Sequence, residues 1–192
     1  MSSIDAPRFG PEARAALLDL ARRSIAHGLD HHRPLAVDPT HYRPPLSDRL
    51  AAFVTLHRAG QLRGCIGHLE AMQPLVRDVA DNAYAAAFQD PRFPPLTSAE
   101  QTGIEVHISV LSPPEPMTFA SEADLLAQIR PGIDGLILTD GQARGTFLPS
   151  VWESLPQPGD FLTHLKRKAG LPAGHWSDRL RVARYTTESF GD

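Results

Sequence analysis

Apolar and polar residues alternate on both sides of Ala59-Gly60, in LAAFVTLHR at 50–58 and QLRGCIG at 61–67. A period of two predicts two strands joined as a hairpin. Residues 103–111 alternate in the same way: Ile104, Val106, Ile108 and Val110 share one face, and Glu105, His107 and Ser109 the other. A second hairpin is expected over 134–139 and 143–148, turning through Asp140-Gly141, and a final strand over 180–187. Helical spacing appears at 11–27, with Gly28 as its stop, and at 74–88, where Pro74 suits the first turn and Leu75, Val79, Ala83 and Ala86 form a stripe. Ser121 reads as the N-cap of a helix reaching Arg130, with Asp124 three residues on, and 158–169 reads as a helix ended by Gly170. Residues 28–48 and 89–95 read as loops. Helices mixed with hairpins predict an α+β fold, with an antiparallel or mixed sheet and flanking helices rather than a doubly wound parallel sheet.

The first hairpin has two available registers. A two-residue turn at Ala59-Gly60 sets Val54 opposite Cys65 and Leu56 opposite Arg63, a cation among aliphatics. A three-residue loop at 58–60 sets Leu56 opposite Leu62, Val54 opposite Gly64 and Ala52 opposite Ile66. The second register separates polarity better and is the one expected. It gathers Phe53, Thr55, His57, Arg63 and Cys65 on one face.

That face is where chemistry would sit. A free thiol ionises near pH ~8.5, so only a few per cent is thiolate at neutral pH. Arg63 beside Cys65 would favour the thiolate, His57 or His107 could serve as base, and Glu105 lies on the same strand face as His107. Gly64 and Gly67 would admit a close ligand or backbone. The candidate catalytic set is therefore Cys65, Arg63, His107 and Glu105, and the candidate ligand-binding set Gly64, Gly67, His57 and Arg92. The plain alternative makes Cys65 a small buried residue and gives Arg63 a structural carboxylate. Arg92, in Asp90-Pro91-Arg92-Phe93, reads either as an anion clamp or as the partner of Asp90, with Phe93 in the core.

Composition narrows the field. The 192 residues carry a formal net charge of −3, which offers nothing to draw nucleic acid or an anionic membrane. No apolar run approaches the roughly 20 residues of a membrane span. MSSIDAPRFG lacks the pattern of a secretory leader, so a cytoplasmic protein is expected. The single cysteine excludes an internal disulfide and a multi-cysteine metal site. His27, His31, His32 and His41 read as solvated histidines, because Gly28 is expected to end the helix between the first two. No metal or cofactor is called for. Residues 141–145 are too short for a phosphate loop and read as a turn.

The cassette Leu62-Arg63-Gly64-Cys65-Ile66-Gly67 resembles the signature hexamer of the AMMECR family, also called AmmeMemoRadiSam system protein A. Further segments match in order: Phe53-Val54-Thr55-Leu56, Asp90-Pro91-Arg92-Phe93 with Pro95-Leu96, Ile108-Ser109-Val110-Leu111-Ser112-Pro113, Gly135-Leu136, Gly145-Thr146-Phe147-Leu148-Pro149, Phe161-Leu162, Lys168-Ala169-Gly170-Leu171 and Trp176. The resemblance covers about residues 12–190, so residues 1–192 are expected to be a single AMMECR domain. It implies a two-lobe α/β arrangement, with a smaller middle lobe inserted in a larger lobe built from the N- and C-terminal parts, and the hexamer near the cleft between them. It also implies the company of Memo-like and radical-SAM proteins, and with it a small-molecule step in metabolite modification or repair or, alternatively, a binding module without catalysis. His57 departs from a frequent lysine or arginine, His107 from a frequent acid, and Lys166 from a second cysteine found in many members. A two-cysteine mechanism would not carry over.

Overall fold

The structure is a computed structural model that describes residues 7–192; the first six residues, which hold most of the stretch read as leaderless, lie outside the described residues. The elements in chain order are α1 (Pro11–His31), β1 (Ala52–Arg58), β2 (Gln61–Gly67), α2 (Leu75–Phe88), β3 (Ile104–Leu111), β4 (Glu115–Pro116), α3 (Glu122–Gln128), β5 (Gly135–Asp140), β6 (Ala143–Phe147), α4 (Pro158–Lys168), β7 (Arg181–Tyr185) and β8 (Thr187–Gly191). This is an α+β fold with two sheets, whose strand pairings are antiparallel where their register is resolved. The chain divides into two compact units, Met1–Leu111 with Glu188–Asp192, and Ser112–Thr187.

The first unit holds the sheet β2-β1-β3-β8 and the two long helices. Val54 and Leu56 on β1 and Val106, Ile108 and Val110 on β3 are all buried, as the alternation requires, and form one core with Leu17, Leu20 and Ile25 of α1 and Leu75, Val76 and Val79 of α2. The alanines of α2 let it lie close to the sheet. Helix α1 runs through Gly28 instead of stopping there. A Cβ at Gly28 would fall 2.5 Å from the Phe88 ring and 2.7 Å from the Tyr84 ring, so this glycine marks a helix–helix contact. The helix ends four residues later, where His32 takes the left-handed conformation (φ 54°) and its N–H donates to the Gly28 carbonyl. His27 and His31 consequently share a helix face, with ring centroids 4.3 Å apart.

The second unit holds the sheet β4-β7-β5-β6 with α3 and α4. Leu125, Leu136, Leu138, Phe161, Leu162 and Leu165 build its core, and Trp152 stacks on Phe161 at 3.8 Å. Ser121 caps α3 by accepting the Asp124 N–H at 3.1 Å, while Asp124 accepts from Ala120. The β5–β6 turn is Gly141-Gln142, one residue later than expected, since Asp140 still pairs with Ala143. Lys166, fully buried, donates to Glu122 at 2.9 Å and lies 5.7 Å from the Trp176 ring.

The last expected strand is two. After β7 the chain changes sheet, and β8 joins the first unit's sheet at its edge. TESFG shows no apolar alternation, and it is a strand because β3 offers it an edge: the Asp192 carboxylate accepts the Val106 N–H at 2.9 Å, and Ser189 and Ser109 hydroxyls meet at 2.8 Å.

Candidate functional site

The β1–β2 turn is the two-residue one. Ala59 (φ 51°) and Gly60 (φ 74°) both sit in the left-handed region, as a type I′ turn needs, and Arg58 pairs with Gln61. His57 then pairs with Leu62, and the register shifts: Leu56 faces Gly64, Thr55 faces Cys65 and Val54 faces Ile66. Arg63 is the extra residue of a β-bulge. The expected three-residue loop is thus replaced by a tight turn plus a bulge. Both solutions insert one residue, so both keep Cys65 on the sheet face turned away from the core-facing Val54 and Leu56. The difference falls on Leu62, which pairs with His57 and is 39% exposed.

Arg63 is drawn into the bulge by Glu100. Its Nε and Nη2 donate to the two Glu100 oxygens at 2.9 and 3.2 Å, and the residue is buried. Glu100 also accepts the Thr97 N–H at 2.9 Å and its hydroxyl at 3.0 Å. Hydrogen bonds from Arg63 and then from Thr97 pull the Glu100 carboxyl down from the ordinary 4.5 to about 2. The Phe93 ring lies below the Arg63 and Arg92 guanidinium carbons at 5.9 and 5.5 Å. Phe93 is half-buried beside these cations and is absent from the core cluster.

Cys65 lies on β2, the edge strand of its sheet. Its N–H donates to Asp90 Oδ2 at 2.9 Å, and its carbonyl lies 3.5 Å from Arg92 Nη2. Asp90 and Arg92 are clasped together at 2.7 and 3.0 Å. Two side chains therefore occupy the place of a further strand and cover an edge that would otherwise stand open. The Arg92 hydrogen bonds are the main reason the buried Asp90 carboxyl stays far below the usual carboxylate range, with the Cys65 and Arg92 N–H groups adding to it against the effect of burial. The Arg92 side chain is still 54% exposed.

The Cys65 thiol is half-buried, and the Thr55 hydroxyl donates to it at 3.3 Å. Thr55 is also the residue opposite His107 on β3. Cys65 and His107 thus share a sheet face with Thr55 between them, about 10 Å apart at two strand spacings. His57 pairs with Glu105, and its ring meets His107 edge-on at 5.0 Å. The space beside both hexamer glycines is filled by the protein itself. A Cβ on Gly64 would lie 2.0 Å from the Ala86 carbonyl oxygen, and one on Gly67 would lie 2.3 Å from the Phe53 ring.

Of the sequence candidates, Cys65, His57, His107 and Glu105 come to one face, whereas Arg63 and Arg92 turn to carboxylates of their own chain. Sequence reasoning missed Thr55, Thr97 and Glu100 as partners. The Thr-x-x-Glu spacing of Thr97 and Glu100 was a legible capping signal. Among the described residues, no three His, Cys, Asp or Glu side chains come together to hold a metal ion, and no helix is long and apolar enough to cross a membrane.

These features define a two-sheet α+β protein built around an edge hairpin. A solved structure of an uncharacterised protein from Pyrococcus horikoshii has the same fold, with TM-score 0.83 and 34% identity over 97% of this chain and 94% of that one. A protein of Methanothermobacter thermautotrophicus is 39% identical over 191 residues, 96% of each chain, and one of Thermotoga maritima is 43% identical over 144 residues, 74% of this chain and 78% of its own. The AMMECR1 family model matches residues 18–190, and the chain belongs to that family.

Proposed function

We propose that this AMMECR1-family protein is a recognition module, in which the sheet face around Thr55, Cys65, His57 and His107 binds a partner protein or a small ligand through short polar side chains. The observation that carries this reading is the carboxylate pairing of both arginines: Glu100 holds Arg63 through Nε and Nη2, and Asp90 holds Arg92. Both cations are engaged in bracing the hairpin through these carboxylates. The Memo-like and radical-SAM proteins implied by the resemblance are the partners to try first.

A second reading, a thiol-dependent enzyme of metabolite modification or repair, is favoured by one contact, the Thr55 hydroxyl donating to Cys65 Sγ. Alkylation of the native protein by iodoacetamide across a pH series separates the two. The recognition reading expects no fast alkylation near neutral pH and a Cys65→Ser variant that keeps both its Tm and its co-elution with a Memo-like protein. It also expects Thr55→Lys to abolish that co-elution at an unchanged Tm. Rapid labelling at neutral pH, together with no co-elution, would transfer the site to the thiol enzyme.

A further inference from the structure

Immediately after the hexamer stands His68, and ten residues further on, Asp78 on α2. The Asp78 side chain is buried, and the imidazole Nδ1 of His68 lies 2.7 Å from its Oδ1. The other carboxylate oxygen accepts the Ala52 N–H at 2.9 Å and the Asn82 carboxamide at 3.0 Å. Asn82 spends its remaining N–H on the Ala52 carbonyl at 3.2 Å. With both amide hydrogens placed, the contact of Asn82 Nδ2 with His68 Nδ1 at 3.3 Å carries no hydrogen bond. The ring proton of neutral His68 must therefore lie on Nδ1, donated to Asp78, and Nε2 is left as an acceptor.

His68 lines a cavity of about 370 Å³, together with Ile66, Pro34, Ala85, Asp81 and Gln89. The His68 side chain is 49% exposed. We infer that this cavity is a binding site for a small primary amine, whose N–H groups are received by His68 Nε2 and the Asp81 carboxylate while its carbon chain lies against Ile66, Pro34 and Ala85. Charge favours the choice. Behind the imidazole, the ligands of Asp78 are neutral donors, and burial raises its carboxyl above the ordinary range. A cation at Nε2 would be polarised towards Asp78 through the imidazole. Asp81 has one partner already, the Gln73 carboxamide at 2.8 Å, which leaves acceptor capacity on the carboxylate. Arg33 and Arg77 line an adjoining cavity that shares Asp81, and they make an anion the rival occupant.

Ethanolamine and 1,4-diaminobutane are suitable probes, with glycolate as the anionic control. The expected result is a change in the His68 ring ¹⁵N resonances on adding either amine and none with glycolate. His68→Asn places an amide donor where Nδ1 stood and has nothing at Nε2. It should keep the wild-type Tm and weaken amine binding tenfold or more by calorimetry. Asp81→Asn should do the same. Binding unchanged in His68→Asn, a response to glycolate instead of the amines, or no response to either amine would each overturn the inference.

Discussion

Gly64→Ala is expected to destabilise the protein by about 3 kcal/mol or more, at the upper end of what added bulk does in a packed core. The new methyl would be placed 2.0 Å from the Ala86 carbonyl oxygen and 2.9 Å from its carbon. These are backbone atoms of α2, not a side-chain tip that can swing aside. To accept the methyl, either α2 must lift from β2 or the bulge must open, and each move pulls on Arg63 or on the buried alanines of α2. For a protein of marginal stability that is a large fraction of the whole. Gly159→Ala is the control. It lies in the first turn of α4 with nothing within 4 Å of its Cβ, and it should leave Tm unchanged or slightly raised. Equal Tm for Gly64→Ala and the wild type, read by thermal melting, would remove the close approach as the reason for glycine there.

The second large effect belongs to Glu100. Glu100→Ala should lower stability by about 3–5 kcal/mol, the range for removing one partner of a buried ion pair, because Arg63 keeps its charge and loses its bidentate acceptor. The Arg63 and Glu100 side chains are 10% and 17% exposed, so solvent replaces little of the loss. Adding Arg63→Met to Glu100→Ala should recover part of it, a non-additivity that chemical denaturation of the single and double variants measures directly. The pH dependence has a definite sign. The Glu100 carboxyl is depressed in the fold from the ordinary 4.5 to about 2. Its contribution is present in full above the unfolded value and disappears as pH falls through the folded one. Asp90, likewise depressed, acts in the same direction. The wild type should therefore lose stability steadily from about pH 4.5 down to about pH 2, and Glu100→Gln should show a flatter acid limb over the same window. An acid limb of the same steepness in both proteins would mean the Arg63–Glu100 pair is not formed in solution.

Much of the hairpin was legible from residues alone. The alternation of Val54 and Leu56 with Thr55 and His57 fixed which face is buried, and Ala59-Gly60 fixed where the chain turns. Its register was not legible. The turn and the bulge are separate decisions, and the bulge answers to Glu100, 37 residues away from Arg63. A local pattern carries no trace of that pairing. The same reason explains Gly28, where a local stop signal is overridden by the rings of Tyr84 and Phe88, and β8, which has no apolar signal of its own and takes its strand form from β3. Candidate chemistry divides likewise. Sequence parity placed Cys65 on the polar face, but only packing put Thr55 between it and His107 and gave Arg92 to Asp90.

The sequence by itself determined that the chain makes an α+β fold with a hairpin at 52–67 and that the hexamer divides between core and face. Periodicity decides such things because burying one side of a strand is a local property of its residues. The tertiary structure alone decided what each charged group of the hexamer region serves. Arg63, Asp90 and Arg92 are committed to bracing the hairpin, and His68 is turned outward by Asp78, because hydrogen-bond partners are chosen by proximity across the fold and not along the chain.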